Sequence, residues 1–256
     1  MIINWLKKFY GPVKRSEFNV LNKKMLNVRT DTPDYRDYDI SSAPIIHITS
    51  DNSLRRYCPP VKNQGWLGSC CSHAYCNALE ILWIKRNDPV STSELFHYYM
   101  ARKLEKTWPS DSGMQMRTGA KVLEKFGTCF EEQIPYDLKN FNITPSWVAS
   151  VTARFFRIKH YYRCYNSKDI SYALSKGFPV CIGIRVDKSF LHNKTGFVNR
   201  LEGKVLGGHA MCVVGNTGKS LYCLNSWGFN WGDRGYVTLT DTFVDDNLID
   251  AWALEK

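Results

Sequence analysis

The stretch PPVKNQGWLGSCCSHA at residues 59–74 decides how the rest of the sequence is interpreted. A Gly-Ser pair leads directly into Cys70, and the apolar run that follows, up to about Lys85, contains no glycine or proline. We therefore predict a buried helix that begins near Cys70. The positive end of such a helix stabilises a thiolate relative to a thiol, which makes Cys70 a candidate nucleophile. A cysteine at the start of a helix is, on its own, more often structural.

Two later stretches carry the other residue types that a nucleophilic site needs. GGHAMCVVG at 207–215 places His209 at the start of a predicted strand, where a lone histidine is usually an ordinary core or surface residue. LNSWGFNWGDRGYVTL at 224–239 places Asn225 at the end of another strand, with two tryptophans after it. An asparagine can fix the tautomer of an imidazole and leave its other nitrogen free for a thiol. Gln64, on the turn before the cysteine, could direct an amide N–H toward an oxygen near the sulfur.

In the order Cys, His, Asn, these stretches resemble the papain family of cysteine peptidases over residues 50 to about 254. QGWLGSC is similar to the family's Gln-Gly-x-x-Gly-Ser-Cys, and NSWGFNWGDRGY to its Asn-Ser-Trp-Gly-x-x-Trp-Gly-x-x-Gly-Tyr. Cys70 precedes His209 by 139 residues and Asn225 by 155, close to the family spacing of roughly 130–150. The resemblance implies an α+β, papain-like two-lobe fold, with a helical N-terminal lobe, a β-rich C-terminal lobe and the active-site cleft between them.

The resemblance also implies roles for the residues that match the family's motifs. The catalytic residues would be Cys70 as nucleophile, His209 as base, Asn225 as the residue that orients the histidine, and Gln64 as an oxyanion donor beside the backbone N–H of Cys70. The substrate-binding residues would be Gly113, Gly208, Trp227 as a shield over the His–Asn bond, and Trp231 on the leaving-group side. The implied activity is that of a cysteine endopeptidase that cuts a protein or peptide substrate through a thioester, with no metal and no organic cofactor.

Departures from the familiar family signature refine this interpretation. Leu67 and Cys71 replace a cysteine and a tryptophan, so the usual disulfide of that lobe cannot form. The sequence looks like the short bacterial or viral branch, in which an Asp-x-Arg-Asp element often precedes the enzyme; DYRD at 34–37 matches it. We predict an N-terminal extension over 1–50 and a peptidase domain over 51–256, with a helical lobe at about 51–150 and a β lobe at about 151–254.

The extension over 1–50 is interpreted as an inhibitory or folding-assisting prosegment. Its apolar residues need a surface to cover, and the cleft between the lobes is the largest apolar one available. To avoid being cut, it would run backwards through the cleft or place a poor residue at Cys70. The competing interpretation is a localisation arm that touches a membrane or a partner through its lysines.

The order of predicted elements separates a helical first half from a β-rich second half. Helices are predicted over 70–85, 93–106, 114–126 and 167–177, and strands within 178–186, 209–216, 220–227 and 235–240. The floor of the specificity pocket is expected within 243–250. There the carboxylates of Asp245, Asp246 and Asp250 would either accept basic side chains or be solvated.

Charge and composition exclude several classes of function. The formal charge is +10, but residues 1–30 hold seven basic residues and one acidic residue, which weakens a nucleic-acid-binding interpretation. No stretch approaches the roughly 18–20 apolar residues of a membrane helix, and the opening run IINWL is too short for a secretory signal. We expect a monomer with reduced thiols, no membrane span and no nucleic-acid partner, located in the cytoplasm or associated with a virion.

Two alternatives to a peptidase stay open on sequence grounds. One is a catalytically silent, papain-fold binding protein, which the presence of all four catalytic residue types argues against. The other is a cysteine hydrolase of the deubiquitinase or transglutaminase kind, which would share the catalytic cysteine and histidine but would lack the NSWG tract at 225–228.

Overall fold

The computed structural model describes residues 26–44 and 53–256. The parts of the predicted N-terminal extension at 1–25 and 45–50 therefore lie outside the described residues. Residues 26–44, called here the N-terminal segment, are described and lie against the rest of the chain.

The helices are concentrated in the first half of the described chain. They are α1 (Cys70–Ile84), α2 (Glu94–Leu104), α3 (Met116–Lys125), α4 (Trp147–Ala153), α5 (Ser167–Ser175), α6 (Lys188–Leu191) and α7 (Asp241–Asn247), with short 3-10 helices at Ile40–Ser42, Arg55–Tyr57, Leu138–Asn140 and Arg154–Phe156. The Gly-Ser turn starts α1 where the sequence predicted, and the Ser93 side chain caps α2 by accepting from Phe96 N.

The strands build one large sheet and one small one. They are β1 (Val28–Arg29), β2 (Met114–Gln115), β3 (His160–Cys164), β4 (Val180–Val186), β5 (Phe197–Val198), β6 (Gly207–Asn216), β7 (Ser220–Leu224), β8 (Tyr236–Thr240) and β9 (Leu248–Glu255). The large sheet has the order β3-β9-β4-β6-β7-β8-β5, with antiparallel pairing except between β5 and β8. The small sheet is the parallel pair of β1 and β2.

The observed elements differ from the predicted ones in a few places, each for an identifiable reason. The predicted helix over 114–126 begins at Met116, because Met114 and Gln115 form a strand with the N-terminal segment. The predicted strand over 220–227 ends at Leu224, where Asn225 turns the chain into the site described below. Five strands and three α-helices of the described chain were not predicted: β1, β2, β3, β5, β9, α4, α6 and α7.

Helix α1 joins the two parts of the fold. It packs on β4 and β6 on one side and on α2 and α3 on the other. Its residues from Cys70 to Leu82 are all buried, and Lys62 and Glu94 approach it from neighbouring segments. A helix buried all round is fixed in position by its neighbours, so α1 is held rigidly against β4 and β6 in the interior of the large sheet.

A buried ionic cluster ties three segments of the helical part together. Lys62 Nζ lies 2.7 Å from Glu80 Oε1 and 2.5 Å from Glu94 Oε1. Glu80 Oε1 also accepts hydrogen bonds from the backbone N and the hydroxyl of Thr92. The cluster connects the loop before α1, α1 itself and the first turn of α2.

We expect Lys62→Met to lower the free energy of unfolding by about 3–5 kcal/mol, because two nearly buried carboxylates lose their counter-charge. The matched control is Lys159→Met. Lys159 Nζ lies 3.6 Å from Glu255 Oε1 and its side chain is 63% exposed, so its loss should cost no more than about 1 kcal/mol. Urea unfolding followed by tryptophan fluorescence measures both. Equal small losses would contradict the role given to the cluster.

Candidate active site

Cys70 is the first residue of α1 and is fully buried. A hydrogen bond from the Cys71 thiol is the largest influence on its pKa and lowers it; burial opposes this, and the His209 ring lowers it further. The pKa of Cys70 is thereby held well below the usual thiol range. The same hydrogen bond and burial raise the pKa of Cys71 above the usual thiol range.

The Cys71 side chain lies in the helical part of the structure. Its Sγ is 3.8 Å from Met114 O and 3.4 Å from Met116 Sδ, at the start of α3. The two adjacent cysteines therefore differ in surroundings: one lies beside the histidine of the sheet, the other beside two methionines.

His209 on β6 and Asn225 after β7 are held together by a short hydrogen bond. His209 Nε2 donates to Asn225 Oδ1 at 2.7 Å, and Ser226 N donates to the same oxygen at 2.8 Å. Both His209 and Asn225 are fully buried. His209 Nδ1 has no hydrogen-bond partner of ordinary geometry among the described residues, yet the ring lies close enough to Cys70 to lower its pKa. The bond to Asn225 thus fixes the tautomer and leaves Nδ1 for proton exchange with the thiol.

Trp227 lies over the histidine. The two rings stack with centroids 4.1 Å apart and planes 29° apart. Trp231 packs edge-on against Trp227 at 5.1 Å, and its Nε1 donates to Leu191 O at 3.1 Å. Trp227 thereby reduces access of water to the His–Asn bond, while Trp231, only 8% exposed, holds Trp227 in place.

Gln64, on the loop before α1, is fixed by two hydrogen bonds. Its Oε1 accepts from the Ser226 hydroxyl at 2.6 Å, and its Nε2 donates to Leu67 O at 2.9 Å. The bond to Leu67 O, which can only accept, determines which end of the amide is the NH₂ group, and one of the two Nε2 hydrogens remains available. Sequence reasoning did not single out Ser226; the only signal was its place in the NSWG tract.

The predicted substrate-binding glycines contact the N-terminal segment. Asn27 forms a parallel bridge with Gly208, the neighbour of His209. A side chain at Gly113 would overlap the backbone oxygen of Asn27, and a Cβ at Gly208 would lie 3.0 Å from Val28 O. Gly113 also has a φ of +64°, which favours glycine. Both glycines therefore admit a closely approaching peptide backbone, and here that backbone belongs to the chain itself.

The Val28 side chain fills a recess between the two halves of the structure. A Cβ on Gly183 would lie 2.9 Å from Val28 Cγ1 and 3.2 Å from Met116 Cγ, so the missing side chain of this glycine makes the recess. Gly183 on β4 is directly opposite Asp250 on β9. Val28 itself is 9% exposed.

Two carboxylates of the N-terminal segment meet two arginines of the remaining chain. The Asp37 carboxylate accepts from Arg117 Nε at 2.8 Å and Nη2 at 2.5 Å, and from Arg163 Nη1 at 3.1 Å. Asp31 accepts from Arg117 N with both oxygens at 3.0 Å. Asp37 is the last residue of the DYRD element, which thus supplies an anchor for the segment.

Asp250 is neither solvated nor free to receive a basic side chain. It is 2% exposed, and its Oδ1 accepts from Arg163 Nη2 at 2.5 Å. Burial is the main cause that raises its pKa, to about 6. Asp245, in the same predicted stretch, accepts from the backbone N and hydroxyl of Ser167. The choice offered by the sequence for these carboxylates was therefore wrong for Asp250, whereas Asp245 and Asp246 are exposed, in agreement with the solvated alternative.

Among residues 26–44 and 53–256, no group of three or more His, Cys, Asp and Glu side chains is arranged to hold a metal ion. Within the same ranges, no helix has the length and apolar character required to cross a membrane. All nine cysteines are described, and none forms a disulfide.

Comparison with known sequences identifies the family. The papain family cysteine protease profile matches residues 49–248. An uncharacterized peptidase C1-like protein of Acanthamoeba polyphaga mimivirus is 36% identical over 214 residues, which are 76% of this chain and 69% of that protein. Ananain of Ananas comosus is 26% identical over 211 residues, 80% of this chain, although the chain spans only 58% of ananain.

Comparison with solved structures gives the same answer for the fold. Xylellain, a cysteine protease from Xylella fastidiosa, superimposes with a TM-score of 0.78 and 26% identity, covering 91% of this chain and 97% of that one. Digestive procathepsin L 3 of Tenebrio molitor larval midgut gives a TM-score of 0.71 at 19% identity, covering 96% and 81%. The predicted α+β, papain-like two-lobe fold is confirmed. With its sequence matched over 49–248 and its fold shared with xylellain, the chain belongs to the papain family of cysteine proteases.

Proposed function

We propose that this protein is a cysteine endopeptidase with Cys70 as nucleophile and His209 as base. The observation that carries the proposal is the short bond from His209 Nε2 to Asn225 Oδ1, which leaves the other ring nitrogen for a thiol whose pKa is lowered. The Cys70 thiolate attacks a peptide carbonyl, and the oxyanion accepts hydrogen bonds from Gln64 Nε2 and Cys70 N. His209 protonates the departing amine, and water then hydrolyses the thioester.

The alternative of a silent binding protein fits the site less well. A binding scaffold has no need for a buried thiolate, which burial disfavours and which here depends on Cys71 and His209. A scaffold also has no need for Trp227 stacked over the His–Asn bond. Both features are useful to a nucleophilic site that must hold an ion pair away from water.

We further propose that the N-terminal segment inhibits the enzyme by occupying the cleft. It covers Gly113 and Gly208, and neither Cys70 nor His209 has any exposed surface in its presence. The segment pairs in parallel with β2, so a peptide that adds to β2 in the antiparallel sense runs in the opposite direction. The segment then presents its peptide bonds to Cys70 in the reverse orientation, which accounts for its survival beside a nucleophile.

If the segment inhibits, Asp31→Ala combined with Asp37→Ala should raise the hydrolysis of a small fluorogenic peptide by about 10-fold or more. Each substitution removes charge-assisted hydrogen bonds worth roughly 1.5–3 kcal/mol, so the segment should leave the cleft more often. Alkylation of Cys70, followed by mass spectrometry, should accelerate in parallel. Asp34→Ala is the control, because Asp34 is hydrogen-bonded to Arg36 of the same segment. Unchanged rates in both assays would leave the segment as a localisation arm.

In the variant with Asp31→Ala and Asp37→Ala, we expect the further substitution Cys70→Ala to abolish turnover and Cys71→Ala to retain it. The Cys71 thiol lowers the pKa of Cys70, so its removal should raise that pKa and move the acid limb of the pH–rate profile to higher pH. Steady-state kinetics between about pH 4 and 9 measures both effects. An inactive Cys71 variant beside an active Cys70 variant would show that the nucleophile is misassigned.

His209→Ala should reduce kcat far more than Asn225→Ala. The histidine transfers protons and charges the thiol, contributions worth at least about 10²–10⁴ in rate, whereas the asparagine acts on the ring's orientation. Both variants are to be compared at matched folding, checked by circular dichroism. Equal losses would contradict this division of roles.

A further inference from the structure

The carboxylate of Asp31 lies in a cradle made by groups of the peptidase domain. Both of its oxygens accept from Arg117 N at 3.0 Å, in the first turn of α3, and one accepts from Trp252 Nε1 at 2.9 Å. Trp252 is fully buried and Arg117 is 6% exposed, so the donors are held in place by the protein interior. The cradle offers N–H groups at a helix start, an arrangement that suits an anion.

The backbone of Asp31 is recognised as well as its side chain. Asp31 N donates to Asp250 Oδ2 at 2.8 Å, while Asp250 Oδ1 is engaged by Arg163. One residue of an extended peptide is thus held at two points, by its own N–H and by its own carboxylate. An amide side chain in place of the carboxylate would bring an NH₂ group toward donors that need an acceptor.

The charges around the cradle change when the segment leaves. The peptidase domain supplies Arg117, Arg163 and Asp250, which sum to one positive charge, and the segment adds the two carboxylates of Asp31 and Asp37. Without the segment, Arg117 loses its ion pair with Asp37, and its backbone N–H in the cradle loses its acceptor. A buried donor without an acceptor costs about 1–3 kcal/mol, so a new acceptor oxygen would be favoured there. The net positive charge favours a carboxylate as that acceptor, against the burial that raises the pKa of Asp31 in this position.

We propose that this cradle is a specificity site of the peptidase, which selects substrates with an Asp or Glu side chain on the N-terminal side of the cleaved bond. The proposal rests on the peptidase activity proposed above. When the N-terminal segment occupies the cleft, Asp31 takes the place of this substrate residue.

The position of the acidic residue follows from the direction of the chain. Asn27 pairs with Gly208 beside His209, Val28 fills the recess at Gly183, and Asp31 lies three residues farther along the segment. A substrate that runs the opposite way reaches the cradle before it reaches the recess and the nucleophile. The acidic residue is therefore expected upstream of the residue in the recess, by about the same separation.

The test uses the full chain with Asp31→Ala and Asp37→Ala, in which the cradle is vacant. Fluorogenic peptides of one sequence carry Glu or Gln at each of six successive positions before the cleaved bond, which includes the position three residues upstream of the recess. At one position, kcat/KM should be at least about 10-fold higher for Glu than for Gln, mainly through a lower KM. Adding Trp252→Phe or Arg117→Met should reduce this ratio. Adding Arg157→Met, at an exposed arginine whose Nε donates to Arg154 O, should leave it unchanged.

The outcomes separate this inference from the proposed function. If the Gln peptides are hydrolysed and Glu gives no advantage at any position, the cradle serves the segment alone and the inference is overturned while the peptidase stands. A Glu preference that persists in the Arg117 variant and in a folded Trp252 variant places the selectivity elsewhere and also overturns it. If no peptide is hydrolysed, the proposed function fails and the inference fails with it.

Discussion

The hydrogen bond between His209 and Asn225 is the constraint around which the rest of the site is arranged. His209 lies on β6 and Asn225 directly follows the neighbouring strand β7, so the large sheet fixes the imidazole, and Trp227 stacks on its face. Cys70, the proposed nucleophile, comes from the other side, at the start of a helix whose burial leaves it no freedom to move. The site lies between α1 and the large sheet, so its geometry depends on how these two elements are placed relative to each other. The packing of α1 on β4 and β6 fixes that placement.

The sequence was sufficient to predict the structure wherever the contacts that determine it join residues close together in the chain. The Gly-Ser turn before Cys70, the NSWG tract around Asn225 and the glycines before His209 each specify a short conformation, and the structure places Cys70, His209, Asn225 and Gln64 together. Gly113 and Gly208 were predicted to bind substrate, and both lie against the backbone of the N-terminal segment. That the extension runs backwards through the cleft or places a poor residue at Cys70 stays a prediction, and the parallel pairing of β1 and β2 favours the first of these alternatives.

Contacts between distant parts of the chain could not be predicted in the same way. Asp31 meets Arg117 across 86 residues and Trp252 across 221, and no pattern in a single sequence pairs an acidic residue with a particular arginine. The same limit explains the error over Asp250: its partner, Arg163, is 87 residues away on a strand that was not predicted. A contact between distant parts of the chain also explains why α3 begins at Met116 and not at residue 114. The two residues before it pair with β1 of the N-terminal segment.

The position of Asp31 at the first turn of α3 has a consequence for how long the enzyme stays active. While the segment is bound, its carboxylate caps a helix of the peptidase domain, and its valine fills a recess between the lobes. Departure of the segment opens the cleft, but it also leaves an uncapped helix and an empty recess, losses that each lower stability. Under the inhibition that we propose, the form with the open cleft is therefore the less durable one. Activation and ageing of the molecule would then begin with the same event, and the period of activity would be limited by the stability of the fold itself.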